Sequence, residues 1–345
     1  MDNIKNIIFS ILDPTGNITA LVESEVSIDR QPSVAAGIMD LYEDVEQVGF
    51  VGFSRNDVHM GCDSNTGMAD NNCHIDCQLR MAGGEFCGNA AMSAAVLYHI
   101  RNMSAEDGRS SSNDQAGRND QISNNDQAGR NDQISNNDQA DSNDQISSKK
   151  TDVPVSVVLR VSGSSVPIEV KLFRDSCIEY RTAIHMPPAL SITEKIFVFK
   201  LQDGTSIGAP LPIVELEGIS HIIVEDRSPL FFISERGDYA ERAIRQWQAE
   251  LGADGLGLMF LSSLPTGIGM KPLVYIPRGD TIFWERSCAS GTCAVGIHRA
   301  WKEARSVELT LQEPGGSLSV KSDHLTGETW LMGRVRLRAD ALILE

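Results

Sequence analysis

The sequence contains no run of 18 apolar residues, which excludes a membrane-spanning helix of ordinary length. Its opening, MDNIKNIIFSILDPTGN, has one basic residue and no small-residue cleavage site, so it does not read as a secretory signal. Positive charge is scarce. Thirty Lys and Arg face 47 Asp and Glu, for a net charge of −17. Such a balance argues against nucleic acid and against an anionic membrane as partners. There is no dinucleotide fingerprint, no Walker loop and no nucleophile elbow. Gly252-Ala-Asp-Gly-Leu-Gly257 is glycine-rich, but it follows a helical stretch rather than a strand. Cysteine is sparse too. Seven residues, an odd number scattered over 345, read as reduced thiols of a cytoplasmic protein. Cys73, His74, Asp76 and Cys77 sit close together, yet no second Cys/His pair follows at finger spacing. The segment also alternates like a strand, which turns Cys73 and Cys77 to one face and His74 to the other. No metal is expected.

What is present suits a folded chain of two domains, with 41% hydrophobic and 22% charged residues. Residues 113–148 are six tandem hexapeptides of the type NDQAGR and NDQISN. Each unit offers at most one apolar side chain, too little burial to offset the entropy of ordering it. The sequence therefore divides into an N-terminal domain at 1–103, a disordered insertion at 104–150 and a C-terminal domain at 151–345, whose last strand is free to return to the first domain. Both halves open with strand-like material. IIFSILDPTGNITALV holds two apolar runs around a turn, and VPVSVVLRVSGSSVPIEVKLF reads as a hairpin. Helical stretches are expected at Gly88–Ile100, at Ala289–Ala304 and at 237–251, the last stopped by Gly252.

The chemistry concentrates at the starts of two of these helices. One reads Gly83-Gly84-Glu85-Phe86-Cys87-Gly88-Asn89-Ala90-Ala91, the other Glu285-Arg286-Ser287-Cys288-Ala289-Ser290-Gly291-Thr292-Cys293. Each half thus places a cysteine just ahead of a helix opened by small residues. A helix N-terminus carries unpaired N–H groups and partial positive charge, so a thiol there is expected to have a lowered pKa. The backbone N–H groups of Gly88, Asn89, Ala289, Ser290 and Gly291 form a cradle for a carboxylate. Two such ends facing one cavity suit removal of a proton from one face of a carbon and its return on the other. The alternative for either cysteine alone is a small buried residue.

The two motifs together resemble the diaminopimelate epimerase family. Gly16-Asn17 after the first strand, Ser220-His221-Ile-Ile-Val224 and His185-Met-Pro-Pro188 are similar to further landmarks of that family. The resemblance implies an α/β (α+β) fold of two pseudo-symmetric epimerase-like domains with the active site in the cleft between them. It also implies a cofactor-independent amino-acid racemase or epimerase with Cys87 and Cys288 as its acid/base pair, a free amino acid as its small-molecule partner, and room for a homodimer. Two departures bear on substrate. Only Ser287 separates Arg286 from Cys288, where a longer loop is usual, and the first motif continues Asn-Ala-Ala-Met. The shortened Trp284-Glu-Arg-Ser-Cys288 segment resembles the histidine racemase branch, which makes D-histidine for opine-type metallophores, more than enzymes acting on diaminopimelate.

Around the cysteines, Asn17 and Asn89 are candidate amide contacts to substrate or caps of their own turns. Glu285 either accepts from the substrate ammonium or is a loop carboxylate. Arg286 pairs with a carboxylate of the substrate or of the protein. His221 and Trp284 each read as packing or as pocket wall, and Cys293 as packing. Two other readings remain open: an isomerase of this fold that uses a carboxylate, as the phenazine-biosynthesis relatives do, and a redox or ligand-binding module in which the cysteines only switch or bind.

Overall fold

A computed structural model describes residues 6–53, 74–110 and 153–344, with side chains of 104–110 left aside. Cys62, Cys73 and the hexapeptides at 113–148 lie outside the described residues. The described residues up to Ile100 and from Pro154 onward form one compact unit.

The sheet of this unit begins with β1 (Ile7–Pro14) and β2 (Thr19–Val22), then β3 (Gln47–Phe53), β4 (Cys77–Met81), β5 (Val155–Val161), β6 (Ile168–Arg174) and β7 (Glu179–Met186). The later strands are β8 (Ser191–Lys200), β9 (Ser206–Leu216), β10 (Ile219–Glu225), β11 (Leu256–Leu264), β12 (Gly267–Ile276), β13 (Thr281–Trp284), β14 (Val307–Glu313), β15 (Gly316–Ser322) and β16 (Thr329–Leu344). Strands β1 to β7 are hydrogen-bonded in sequence order; β16 follows β7 and also pairs with β1, closing a ring of eight. From β16 the sheet continues through β15, β14, β12, β11, β10 and β9 to β8, with β13 on the side of β12. Strands β5 to β7 therefore complete the first ring.

Four helices join parallel strands, as parallel pairing requires a crossover. Helix α1 (Gln31–Leu41) links the parallel pair β2 and β3, and α2 (Gly88–Ser110) lies between the parallel β4 and β5. Helix α3 (Gly237–Leu251) links β10 to β11, and α4 (Ala289–Glu303) lies between β12 and β14. With β8 and β13 set aside, the order of hairpins and crossovers is the same in both lobes, which makes the fold an α+β pseudo-symmetric pair. Helices α1 and α3 cover the outer faces, α1 packing Ile38 with Phe9 and Phe50 and α3 packing Trp247 with Phe197 and Leu258. Helices α2 and α4 occupy the insides and share one core. Burial on both faces explains why strands such as β10 and β11 read as continuous apolar runs. It also explains the small residues of the inner helices. Ala90, Ala91, Ala94 and Ala95 have no exposed surface, and a larger residue would overpack the ring.

Candidate active site

Each inner helix starts at one of the two cysteines. Cys288 caps α4 in extended backbone (φ −128°, ψ 104°), and its Sγ accepts from the Gly291 N–H at 3.4 Å. Cys87 stands directly before α2, and its Sγ accepts from the Ala90 N–H at 3.4 Å. The two sulfurs thus take the same position, each facing the amide three residues on. Cys87 Sγ also donates to Gln47 Oε1 at 2.9 Å, and Gln47 is held in turn by Thr19 at 2.7 Å. The two helix starts meet. A β-carbon on Gly88 would lie 2.9 Å from that of Ala289. Asn17 and Asn89, from the first lobe, both donate their side-chain amides to the carbonyl of Ser287, at 2.8 and 3.1 Å. The turn that carries Asn17 is brought in by close backbone contact: Gly16 has φ +96°, and a β-carbon there would sit 2.3 Å from Gly315 Cα.

The charge environment differs from the sequence expectation. Burial pushes the Cys87 thiol up to about 12, assisted by the Glu285 and Glu85 carboxylates, and the amide N–H groups of Ala90 and Asn89 only partly oppose this. Burial likewise holds Cys288 well above its ordinary value, with Glu285 as the next cause, against the Gly291 N–H. The helix-terminal effect expected from the sequence is present but smaller than the desolvation of a thiolate in a closed site. Glu285 lies beside the Cys288 thiol, and its charge acts on both sulfurs. Burial, with Glu46 and Glu85 nearby, raises it to about 7. Glu46 is also raised to about 7 by burial, with Arg286 opposing. Glu85 is raised by burial against Arg80 and Arg278, and its Oε2 has no hydrogen-bond partner among the described residues.

The other expected contacts are redistributed. Arg286 is exposed; its N–H faces Glu46 at 3.4 Å and its carbonyl accepts from the Gly315 N–H at 2.7 Å. Gly291, expected in the carboxylate cradle, gives its N–H to Cys288 Sγ, whereas Ala289 and Ser290 are buried beside it. The Oδ1 atoms of Asn17 and Asn89 are buried without a partner among the described residues. His221 is fully buried, both ring nitrogens have no partner among the described residues, and burial holds it neutral, down to about 3. A β-carbon on Gly257 would lie 2.3 Å from His221 Nδ1 and 2.8 Å from Met259 Cε. Met259 Sδ in turn would lie 2.1 Å from a β-carbon on Gly291. Met259 therefore stands between His221 and the first turn of α4. Sequence reasoning missed Glu46, Gln47, Met259 and Glu313. Each comes from a different strand or loop, and no spacing rule links them to the cysteines. Cys293 and Cys77 are buried thiols whose pKa burial raises, and among the described residues no three potential metal ligands gather. A cavity of about 580 Å³ lies elsewhere, among Thr15, Gly16, Gly315 and the arginines Arg181, Arg334 and Arg336; neither cysteine lines it.

Two pseudo-symmetric lobes each place a cysteine at the start of an inner helix. The fold is shared with a hydroxyproline epimerase from Agrobacterium vitis (TM-score 0.57, 11% identity, 99% of this chain and 94% of that one). It is shared equally with a phenazine-biosynthesis PhzF-family protein from Bacillus anthracis (TM-score 0.53, 10% identity, 99% and 100%). The profile described as the histidine racemase CntK N-terminal domain matches residues 6–125 and 131–340, and the chain belongs to that family of amino-acid racemases. Similar proteins include histidine racemases from Staphylococcus aureus (25% identity, 95% of this chain and 93% of the relative) and Fusobacterium nucleatum (25%, 97% and 95%). No described helix is long and apolar enough to cross a membrane.

Proposed function

We propose that this protein interconverts L- and D-histidine by a two-thiol proton transfer at Cα, without pyridoxal phosphate. The observation that carries the reading is the matched placement of Cys87 and Cys288 at helix starts that abut, with one carboxylate, Glu285, acting on both sulfurs. The α-carboxylate of the substrate fits the small-residue helix starts, where N–H groups and the helix dipoles favour negative charge. The orphaned Oδ1 atoms of Asn17 and Asn89 suit the substrate ammonium. Glu46 and Glu85 are buried carboxyl groups held above their ordinary range, and a basic imidazole side chain beside them would favour their ionisation.

The proton steps balance. Glu285 takes the proton of one thiol. The thiolate then removes the Cα proton; the C–H bond breaks and an S–H bond forms. The opposite thiol delivers its proton to the other face of Cα, inverting the centre, and becomes the thiolate, which then takes back the proton held by Glu285. Glu285, raised to about 7 by burial, is matched to a base that gains and loses a proton near neutrality. The reading places D-histidine as a building block for an opine-type metallophore and the protein in the cytoplasm, where its thiols stay reduced.

The test is incubation of L-histidine with the protein in D2O, with no added cofactor. Deuterium at Cα and formation of D-histidine, read by mass spectrometry and chiral chromatography, are expected. Turnover of meso-diaminopimelate, proline, glutamate or alanine in place of histidine would redirect the substrate; a strict need for pyridoxal phosphate would end the mechanism.

A further inference from the structure

Helix α4 begins with a cap assembled from two distant parts of the chain. In a reciprocal N-cap, the capping side chain accepts from the N–H three residues on, and a carboxylate at that third position reaches back to the N–H of the cap residue. Cys288 performs the first half through Gly291 N–H, at 3.4 Å. Gly291 cannot perform the second. It has no side chain, and a β-carbon there would lie 2.1 Å from Met259 Sδ and 3.1 Å from Cys288 Sγ. The missing carboxylate arrives from Glu313, at the end of β14. Its Oε2 accepts from the Cys288 N–H at 2.7 Å and its Oε1 from the Thr292 hydroxyl at 2.7 Å. Glu313 is buried, and both its oxygens hold the first turn of α4. Two residues further on, Gly315 N–H donates to the Arg286 carbonyl at 2.7 Å. The tip of the β14–β15 hairpin therefore grips the chain on both sides of Ser287.

We propose that Glu313 is a positioning residue that sets the Cys288 sulfur for proton transfer, by delivering the carboxylate arm of the α4 cap from the β14–β15 hairpin. This rests on the assignment of Cys288 as an acid/base residue. Glu313 acts through the Cys288 backbone and not on substrate. Truncation leaves a buried N–H and a buried hydroxyl without their acceptor, and frees the cap to shift by distances that proton transfer does not tolerate. Glutamine preserves the geometry. Its carbonyl accepts from the Cys288 N–H and its amide donates to the Thr292 oxygen, while the charge is gone.

The experiment compares Glu313→Ala, Glu313→Gln and Thr292→Val with wild type, using L-histidine as substrate, thermal melting as the fold control, and iodoacetamide labelling of Cys288 and Cys87 mapped by peptide mass. Glu313→Ala should lower kcat by about tenfold or more with KM changed by less than about threefold, the pattern of a defect in chemistry rather than in binding. Glu313→Gln should return kcat to within about threefold of wild type. The pH profile of Cys288 labelling should shift in both Glu313 variants, and that of Cys87 should not. Wild-type kcat in a folded Glu313→Ala protein overturns the proposal. So does equal loss in the alanine and glutamine variants, or a loss with no change in Cys288 labelling. If Glu313→Ala does not fold, Thr292→Val decides: it removes one of the two bonds, and an unchanged kcat overturns the proposal. Cys288→Ser is the separate control. Full turnover in that variant would strike the assignment of the thiol itself, whereas its loss alongside an unaffected Glu313→Ala would strike only the role of Glu313.

Discussion

The side-chain amide of Asn89 donates to the carbonyl of Ser287, so the residue two places after the first cysteine holds the residue one place before the second. Asn17 adds a second donor to the same oxygen. Asn89→Ala should therefore loosen the Cys288 segment and also remove an acceptor offered to substrate. We expect a stability loss of about 1–2 kcal/mol, typical of a buried hydrogen bond broken from one side, and a clear drop in kcat/KM. Denaturant unfolding and racemisation assays check both; an unchanged KM together with unchanged kcat would remove Asn89 from the site.

The thiols are the sharpest test of mechanism. Cys87→Ser and Cys288→Ser should each lower racemisation by about 10²–10⁴-fold, the range for loss of a general acid or base, with melting temperatures within a few degrees of wild type. A binding or redox module would keep its ligand in both variants and have no catalysis to lose.

Racemase activity should rise with pH through about 7, because Glu285 must be deprotonated to take a thiol proton. Glu285→Gln should lose most activity and flatten that limb. A pH–rate profile of the variant with the same limb would assign it to another group.

Stability should move the other way. Glu285 and Glu46 are raised to about 7 and Glu313 to about 8, each first by burial. The folded chain therefore holds protons that the unfolded chain releases, so this contribution is full below the ordinary carboxylate range and is lost as pH rises through about 7–8. His221 and His298 are lowered to about 3 and about 4, also first by burial, so they cost stability only as pH falls below the ordinary histidine value. Between about pH 6.5 and 9 the melting temperature of the ligand-free protein should fall, and Glu285→Gln should weaken the fall. A melting temperature that climbs over this window would contradict the buried-carboxylate picture.

The meeting of the helix starts predicts a steric effect. Gly88→Ala puts a β-carbon 2.9 Å from that of Ala289, between two helices that cannot both yield. Overpacking of this kind costs about 1–3 kcal/mol, and activity should fall further than stability because the two sulfurs move apart. Thermal melting and kcat measured together separate the two effects.

Much of this architecture could be read along the chain. The apolar runs of β1 and β2, the hairpin of β5 and β6, and helices α2, α3 and α4 stood where pattern and turn chemistry placed them. Helix α1 did not announce itself, since Pro32 and Gly37 interrupt its short pattern. The return of β16 to β1, and the use of β5 to β7 to close the first ring, depend on pairings between strands far apart in sequence, which local periodicity does not encode.

The sequence by itself determined where the two cysteines stand, because a run of small helix-forming residues and a capping side chain are local properties, set by backbone hydrogen bonding within one turn. Tertiary structure alone decided their chemistry. Enclosure of both helices raised the thiols instead of lowering them, brought the charge of Glu285 to Cys87 in the other lobe, and brought Glu313 to the backbone of Cys288. Desolvation and long-range contact depend on what surrounds a group once the chain has closed on itself, and no stretch of sequence carries that alone.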